Sequence, residues 1–312
     1  MENVQAYHLS VFPYSLDTLE DGGNPTTIFL GADDLSPSQM QSLTKKNGHE
    51  CGFVLSGQAG EHADCHLTLR YWVPNHEMEM CGHATVGAIW VMDRLGLLPA
   101  TDTLRISTRS GVVEAQVLKG EDGSPAVRVS QPAGSVEDLP SDQVLDIASC
   151  LGITEGDLAP SYKVQNGRTS RTKTLIPLKS REILEWLNPN PDFVREICEK
   201  IDSTGLYPYA VLDAQDQLVE ARQFPRSSGY AEDPATGIAA AALTFGLLDN
   251  TVFSRETTKP IRIRQGWTMG KRSEIQVHLR RNSGKLSGCW ISGKVRQATA
   301  EAVRDTETSI ER

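Results

Sequence analysis

The chain has 312 residues, 39% of them hydrophobic and 23% charged, an ordinary balance for a globular protein at a length that predicts two domains rather than one core. A formal net charge of -9 excludes a broad affinity for nucleic acid or anionic membrane, while leaving room for a local positive pocket. Six scattered cysteines, Cys51, Cys65, Cys81, Cys150, Cys198 and Cys289, with no C-x-x-C pair, exclude a disulfide framework and a zinc site of ordinary ligand spacing.

In chain order, the opening Met1-Glu2-Asn3-Val4-Gln5 lacks a basic segment followed by an apolar one, and no apolar run approaches the ~20 residues of a membrane span. A cytoplasmic protein with reduced thiols is therefore expected. A helix is predicted over 37–46, capped by Ser36. The segment 47–55 reads as a turn carrying His49, Glu50 and Cys51 into an apolar strand. His62 and His66 are spaced i,i+4 but sit in a polar turn, so no metal site is assigned to them. A strand is predicted over 65–73, with Leu67, Leu69 and Tyr71 on one face. The helix predicted over 83–95 is Ala-rich and apolar on nearly every side, so it should be buried. A β-like segment follows at 103–107, and Gly120 to Pro125 reads as the turn between the halves. Further on come a helix over 193–201, a strand over 217–224, a second all-round apolar helix over 236–247 and a β-like segment over 261–264. The polar stretch 297–312 is expected to fray. The domains are set at 1–122 and 123–298, with a tail over 299–312.

Strand, loop and helix occur twice. Arg70 and Arg222 lie 152 residues apart, and Trp72 and Phe224 share that offset. The blocks Cys81-Gly82-His83-Ala84-Thr85 and Asp233-Pro234-Ala235-Thr236-Gly237 keep it, as do Leu95 and Leu247. A constant spacing across arginine, aromatic, loop and helix points to duplication. Arg70 and Arg222 fall before the loops and are read as partners of structural carboxylates. The start of a buried helix presents free N–H groups and partial positive charge, which suits an anion, and Gly82 and Gly237 let a ligand approach the backbone. If the halves face each other, two such starts would converge on one cleft that could grip a carboxylate without a metal. The groups able to do chemistry there are Glu50, Cys81, His83 and Asp233, with Cys81 and Asp233 at matched positions.

Four blocks, Gly23-Asn24-Pro25-Thr26-Thr27, 47–54, Cys81-Gly82-His83-Ala84-Thr85 and Glu232-Asp233-Pro234-Ala235-Thr236-Gly237, resemble the phenazine-biosynthesis isomerase-like family. Gln265-Gly266, Met269-Gly270 and Ile291-Ser292-Gly293 are weaker matches, and the likeness spans about 5–297. The resemblance implies an α/β (α+β) chain of two pseudo-symmetric diaminopimelate-epimerase-like domains, each a mixed sheet wrapped around a buried central helix. It implies an isomerase that needs no cofactor and no metal. Glu50 stands at the position of the family's catalytic glutamate, and His83 and Asp233 at those of its assistants. Asn24, His49, Cys81, Gly82, Ala84, Thr236, Gly237 and Ile238 are implied as substrate-binding. The implied partner is a small carboxylate-bearing metabolite of secondary metabolism, with no nucleic acid or membrane, and the implied state is a homodimer. Burial would raise the pKa of such a glutamate, letting it lift a proton from one carbon and return it to another.

Two departures mark the pocket. His49 and Cys51 flank Glu50 where relatives often carry serine and threonine, and Ile238 follows Gly237 where serine is common. They favour a different, less polar substrate than the founding one. Two other functions compete: a thiol-dependent amino-acid racemase or epimerase using Cys81, and a non-catalytic small-molecule-binding protein. There is no Gly-x-Gly-x-x-Gly fingerprint, no Walker-type phosphate loop and no Gly-x-Ser-x-Gly elbow.

Overall fold

The computed structural model describes residues 4–17, 22–57, 64–119 and 125–298. His62, the turn over 120–124 with the boundary expected at 122/123, and the tail 299–312 lie outside the described residues. The chain divides into two units. Unit 1 runs to Ser130 and includes the residues from Ser292 on, and unit 2 is Gln131–Ile291. No helix among the described residues is long and apolar enough to cross a membrane.

Unit 1 contains β1 (Gln5–Val11), β2 (Asn24–Leu30), α1 (Pro37–Asn47), β3 (Cys51–Ser56), β4 (Leu67–Trp72), β5 (Glu77–Met78), α2 (Gly82–Arg94), β6 (Leu104–Thr108), β7 (Gly111–Lys119) and most of β8 (Pro125–Pro132), whose last two residues fall in unit 2. α1 starts where the sequence signals it. The Ser36 side chain accepts from the Gln39 N–H and Gln39 reaches back to the Ser36 backbone, a capping box, with Pro37 following. Lys45 and Lys46 fall in its last turn, and Gly48, at φ 70°, ends it in the left-handed conformation. Phe29, Met40, Cys51, Phe53, Leu55 and Trp72 form the core on the α1 side of the sheet. α2 takes the other side. Every residue from Gly82 to Val91 is buried, so the helix is apolar around its whole circumference. Gly87 permits the close approach to the sheet, since a Cβ there would lie 2.9 Å from Leu9 Cδ1.

Unit 2 contains β9 (Ser135–Asp138), α3 (Ser141–Leu151), β10 (Gln165–Arg168), β11 (Thr172–Pro177), α4 (Arg181–Trp186), α5 (Pro191–Lys200), β12 (Gly205–Asp213), β13 (Leu218–Ala221), β14 (Phe224–Pro225), α6 (Gly237–Asp249), β15 (Ile261–Gln265), β16 (Ser273–Asn282) and β17 (Lys285–Ser292). The core formed with α3, α4 and α5 includes Ile147, Ile176, Leu184, Val194, Leu206 and Phe224. α6 takes the other face and is buried almost throughout, with Ala239 to Leu248 all inside. The final strand, β18 (Val295–Gln297), returns to unit 1 by pairing with β1, and not to the C-terminal half where the sequence reading placed it.

The duplication is visible in the ladders. From β1 through β2, β3, β4, β6 to β7 the pairings run antiparallel, parallel, antiparallel, parallel, antiparallel. From β10 through β11, β12, β13, β15 to β16 they run the same way. The two arginines do pair with carboxylates. Arg70 Nε and Nη2 donate to Glu77 at 2.7 and 2.9 Å, and Arg222 to Glu232 at 2.9 and 2.7 Å. Arg222 also donates Nη1 to the carbonyls of Leu184 and Leu187, at 3.0 and 2.7 Å, closing the end of α4.

These pairs correct the alignment of the halves. The arginines are 152 apart, but Glu77 and Glu232 are 155 apart, as are the helix starts Gly82 and Gly237. Unit 2 carries a longer loop between arginine and glutamate, so the counterpart of Cys81 is Thr236, each the N-cap of its helix, and not Asp233.

Arg222 is buried with its glutamate, so Arg222→Ala strands both Glu232 and the α4 carbonyls and should cost about 3–5 kcal/mol. Ser36→Ala removes one solvent-facing cap and should cost about 1 kcal/mol. Urea denaturation measures both, and equal losses would contradict the roles assigned.

Candidate functional site

Alternation along β3 directs its side chains. Cys51 and Phe53 enter the α1-side core, whereas Gly52 faces α2, where an added Cβ would sit 3.4 Å from Ala84 Cβ. Glu50, two residues before Gly52, shares the α2 side and is 8% exposed. Its backbone is pinned by the buried Thr26 hydroxyl, which donates to Glu50 O at 2.9 Å. Thr26 itself lies against α2, with its methyl 3.4 Å from where a Gly87 Cβ would be.

Glu50, Cys81 and His83 come together at the start of α2. Cys81 caps the helix without a side-chain bond to its N–H groups. Its Sγ stands 3.4 Å from His83 Nδ1, and its carbonyl accepts the Thr85 hydroxyl at 2.7 Å. Thr85's one proton being spent there, the Tyr71 phenol donates to Thr85 Oγ1 at 2.7 Å. Burial pulls the His83 imidazole below the usual histidine range, against the Glu50 charge and the Pro25 carbonyl, both of which favour the protonated ring. Asn24, before that proline, is buried. Gly82 and Ala84 are enclosed in the first turn of α2, whose leading N–H groups have no partner within a helix.

His49 belongs to a different group, on the α1 side of the sheet. Asn47 Nδ2 donates to Leu43 O at 2.8 Å, which turns Oδ1 toward Thr27 to accept its hydroxyl at 2.8 Å. His8 Nδ1 and His49 Nε2, each 3.0 Å from that hydroxyl, must then both donate to it.

In unit 2, Asp233 is 8% exposed and accepts the Thr236 hydroxyl, while Thr236 caps α6. Gln265 organises the surroundings. Its Nε2 donates to Asp233 O at 2.6 Å and to Thr236 Oγ1 at 3.1 Å. Its Oε1 accepts from the buried Tyr207 phenol at 2.8 Å and from the Thr236 N–H at 3.3 Å. Burial, with the Asp233 charge, pushes the Tyr207 phenol well above its ordinary pKa. Gly237 is buried and Ile238 half-buried in the first turn of α6. The sequence reading missed Tyr207, and Thr26 stood inside a matched block with no role assigned to it. Gln265 was visible only inside a weak motif.

The family model for phenazine biosynthesis-like proteins matches residues 19–297. The uncharacterised isomerase YfhB of Bacillus subtilis strain 168 is 28% identical over 88% of this chain and 92% of its own. The trans-2,3-dihydro-3-hydroxyanthranilate isomerase of Pseudomonas fluorescens is 24% identical over 87% of this chain and 90% of its own. The crystal structure of a PhzF-family phenazine biosynthesis protein from Bacillus anthracis is 25% identical, with a TM-score of 0.80 over 95% of this chain and 98% of that one.

The lowered His83 pKa carries a sign. The unfolded histidine takes up a proton near pH 6.5 and the folded one resists, so stability is full above that pH and falls as pH drops toward the folded pKa. Nitrogen NMR should find His83 mostly neutral at pH 6.5, and Glu50→Gln should lower its midpoint further. A midpoint at or above 6.5 would contradict the burial argument.

Proposed function

The chain belongs to the phenazine biosynthesis-like protein family and is an isomerase, and from that premise we propose that Glu50 shuttles a proton between two carbons of a small carboxylate-bearing, cyclic or unsaturated metabolite without a cofactor. The observation that carries this reading is the placement of the Glu50 carboxylate on the α2 side of the sheet, beside a buried imidazole and the start of a buried helix. Glu50 takes a proton from a C–H bond conjugated to the substrate's unsaturation. The electron pair enters the conjugated system, and the new carboxylic acid returns the proton at a second carbon. Charge building on the substrate is met by N–H groups at the helix start and by the neutral His83 ring acting as donor. In unit 2, Asp233, held by Thr236 and Gln265, is assigned the role of an acid/base partner or ligand contact. The Pseudomonas fluorescens relative works on a dihydro-hydroxyanthranilate, a molecule of this class.

One observation favours a second reading, a thiol-dependent epimerase: the 3.4 Å approach of Cys81 Sγ to His83 Nδ1. The counterpart of Cys81 is Thr236, so the duplication supplies no second thiol for a two-cysteine exchange.

A screen of small carboxylates in deuterated water, read by mass gain, tests both readings. Wild type should incorporate deuterium into at least one of them, and Glu50→Gln should lower that rate by about 10²–10⁴-fold. Cys81→Ser should keep the rate within a few-fold of wild type. Exchange unaffected by Glu50→Gln removes Glu50 from the chemistry, and exchange abolished by Cys81→Ser favours the epimerase.

A further inference from the structure

The register of the two units identifies the unit 2 counterpart of the Glu50 position. In unit 1, Thr27 pairs with Cys51 and Cys51 with Trp72, which sets Glu50 level with Thr26. In unit 2, Thr174 pairs with Leu206 and Leu206 with Phe224, which sets Gly205 level with Lys173. Gly205 therefore stands where unit 1 has Glu50, Lys173 where it has Thr26, and Gln223 where it has Tyr71. Leu206, Ile176 and Phe224 belong to the core on the α3–α5 side. By alternation Lys173, Gly205 and Gln223 face the other way, toward α6.

These residues are built unlike a core. Lys173 is 7% exposed, yet among the described residues its ammonium, with three donors, makes one hydrogen bond, to Thr204 O at 3.4 Å. Gln223 is 1% exposed, and among the described residues neither its amide nitrogen nor its amide oxygen has a partner. Its counterpart Tyr71 is fully engaged through Thr85. The Gln223 amide lies over Gly205, since a Cβ on that glycine would come within 2.1 Å of Nε2. Gly205 follows Thr204, whose carbonyl accepts from Lys173, so amide and ammonium both reach the start of β12. Asp233 adjoins them, its N–H donating to Gln223 O at 3.1 Å.

We propose that Lys173 and Gln223 form a recognition site in unit 2 for a small carboxylate that carries a hydroxyl or amine. The ammonium and the amide NH₂ supply donors for the two carboxylate oxygens, and the amide oxygen accepts from the neighbouring hydroxyl or amine. Interior donors left without acceptors are disfavoured, and a ligand anion satisfies them together. The charged and titratable groups around Lys173 are Asp233, Arg171, Arg226 and the Cys198 thiol, so cations outnumber the carboxylate. Burial, partly opposed by Asp233, brings the Lys173 pKa down to about 8, which leaves the ammonium charged at pH 6.5.

The probe is 3-hydroxyanthranilate, the aromatic counterpart of the Pseudomonas relative's substrate, compared with its carboxamide by calorimetry at pH 6.5. Wild type should bind the acid at least ten-fold more tightly than the amide. Lys173→Met and Gln223→Leu should each weaken acid binding at least ten-fold, Lys173→Met should leave amide binding unchanged, and Lys173→Arg should restore part of the loss. Probe binding is measured without turnover, so failure of the proton-transfer reading is distinguishable from failure of this one. If a variant does not fold, the wild-type Lys173 ammonium is followed by ¹⁵N NMR, where the acid and not the amide should shift it. Wild-type affinity for the acid in either folded variant, no preference for acid over amide, or an unmoved Lys173 resonance would overturn the proposal.

Discussion

Each unit is organised around a helix buried on every side, and that enclosure constrains the rest. A helix inside a sheet-lined core must be apolar around its circumference, and α2 and α6 are. Its first turn is the exception. Backbone N–H groups there have no partner within the helix, and leaving them dry is costly. The chain must therefore bring polar groups to an interior point, and it does so differently in each unit. In unit 1 they are Glu50, Cys81 and His83. In unit 2 they are Asp233, Thr236, Gln265 and Tyr207. Burial in such a place can outweigh a neighbouring charge, as the His83 pKa, depressed despite Glu50, illustrates.

Supports from neighbouring strands hold these groups. Thr26 fixes the Glu50 backbone from β2, and the Tyr71–Thr85–Cys81 chain ties β4 to the helix start. The bidentate Arg70–Glu77 and Arg222–Glu232 pairs fasten the loop that enters each helix. Such pairs add less to stability than their geometry suggests, because both partners lose solvation. Their recurrence in both units fits a role in setting where the helix begins.

Much of this was legible in the sequence. The period-2 pattern over 65–73, the Ala-rich helices and the Ser36 cap follow from local rules, and the structure has each of them. The 152-residue offset revealed the duplication, but a constant offset cannot register a loop-length change, so Asp233 was matched to Cys81 when Thr236 is the counterpart. Glu50 and His83 stood among the few groups able to do chemistry near the helix starts, and the family resemblance supplied their roles. Lys173 carried no local signal, because its meaning depends on a pairing with β12 that only the folded register supplies. Gln223 did carry one. It sits inside the repeated arginine–aromatic segment, polar where its counterpart Tyr71 is aromatic, a substitution that marks a changed environment at a matched core position.

The central claim is that a carboxylate at position 50 carries the proton. Chemical rescue of Glu50→Ala tests it most directly, with deuterium exchange measured on whichever metabolite wild type labels. Added formate, small enough to occupy the space of the missing carboxylate, should restore exchange with saturation, and added imidazole should not. Exchange in Glu50→Ala that equals wild type without any additive would contradict the claim.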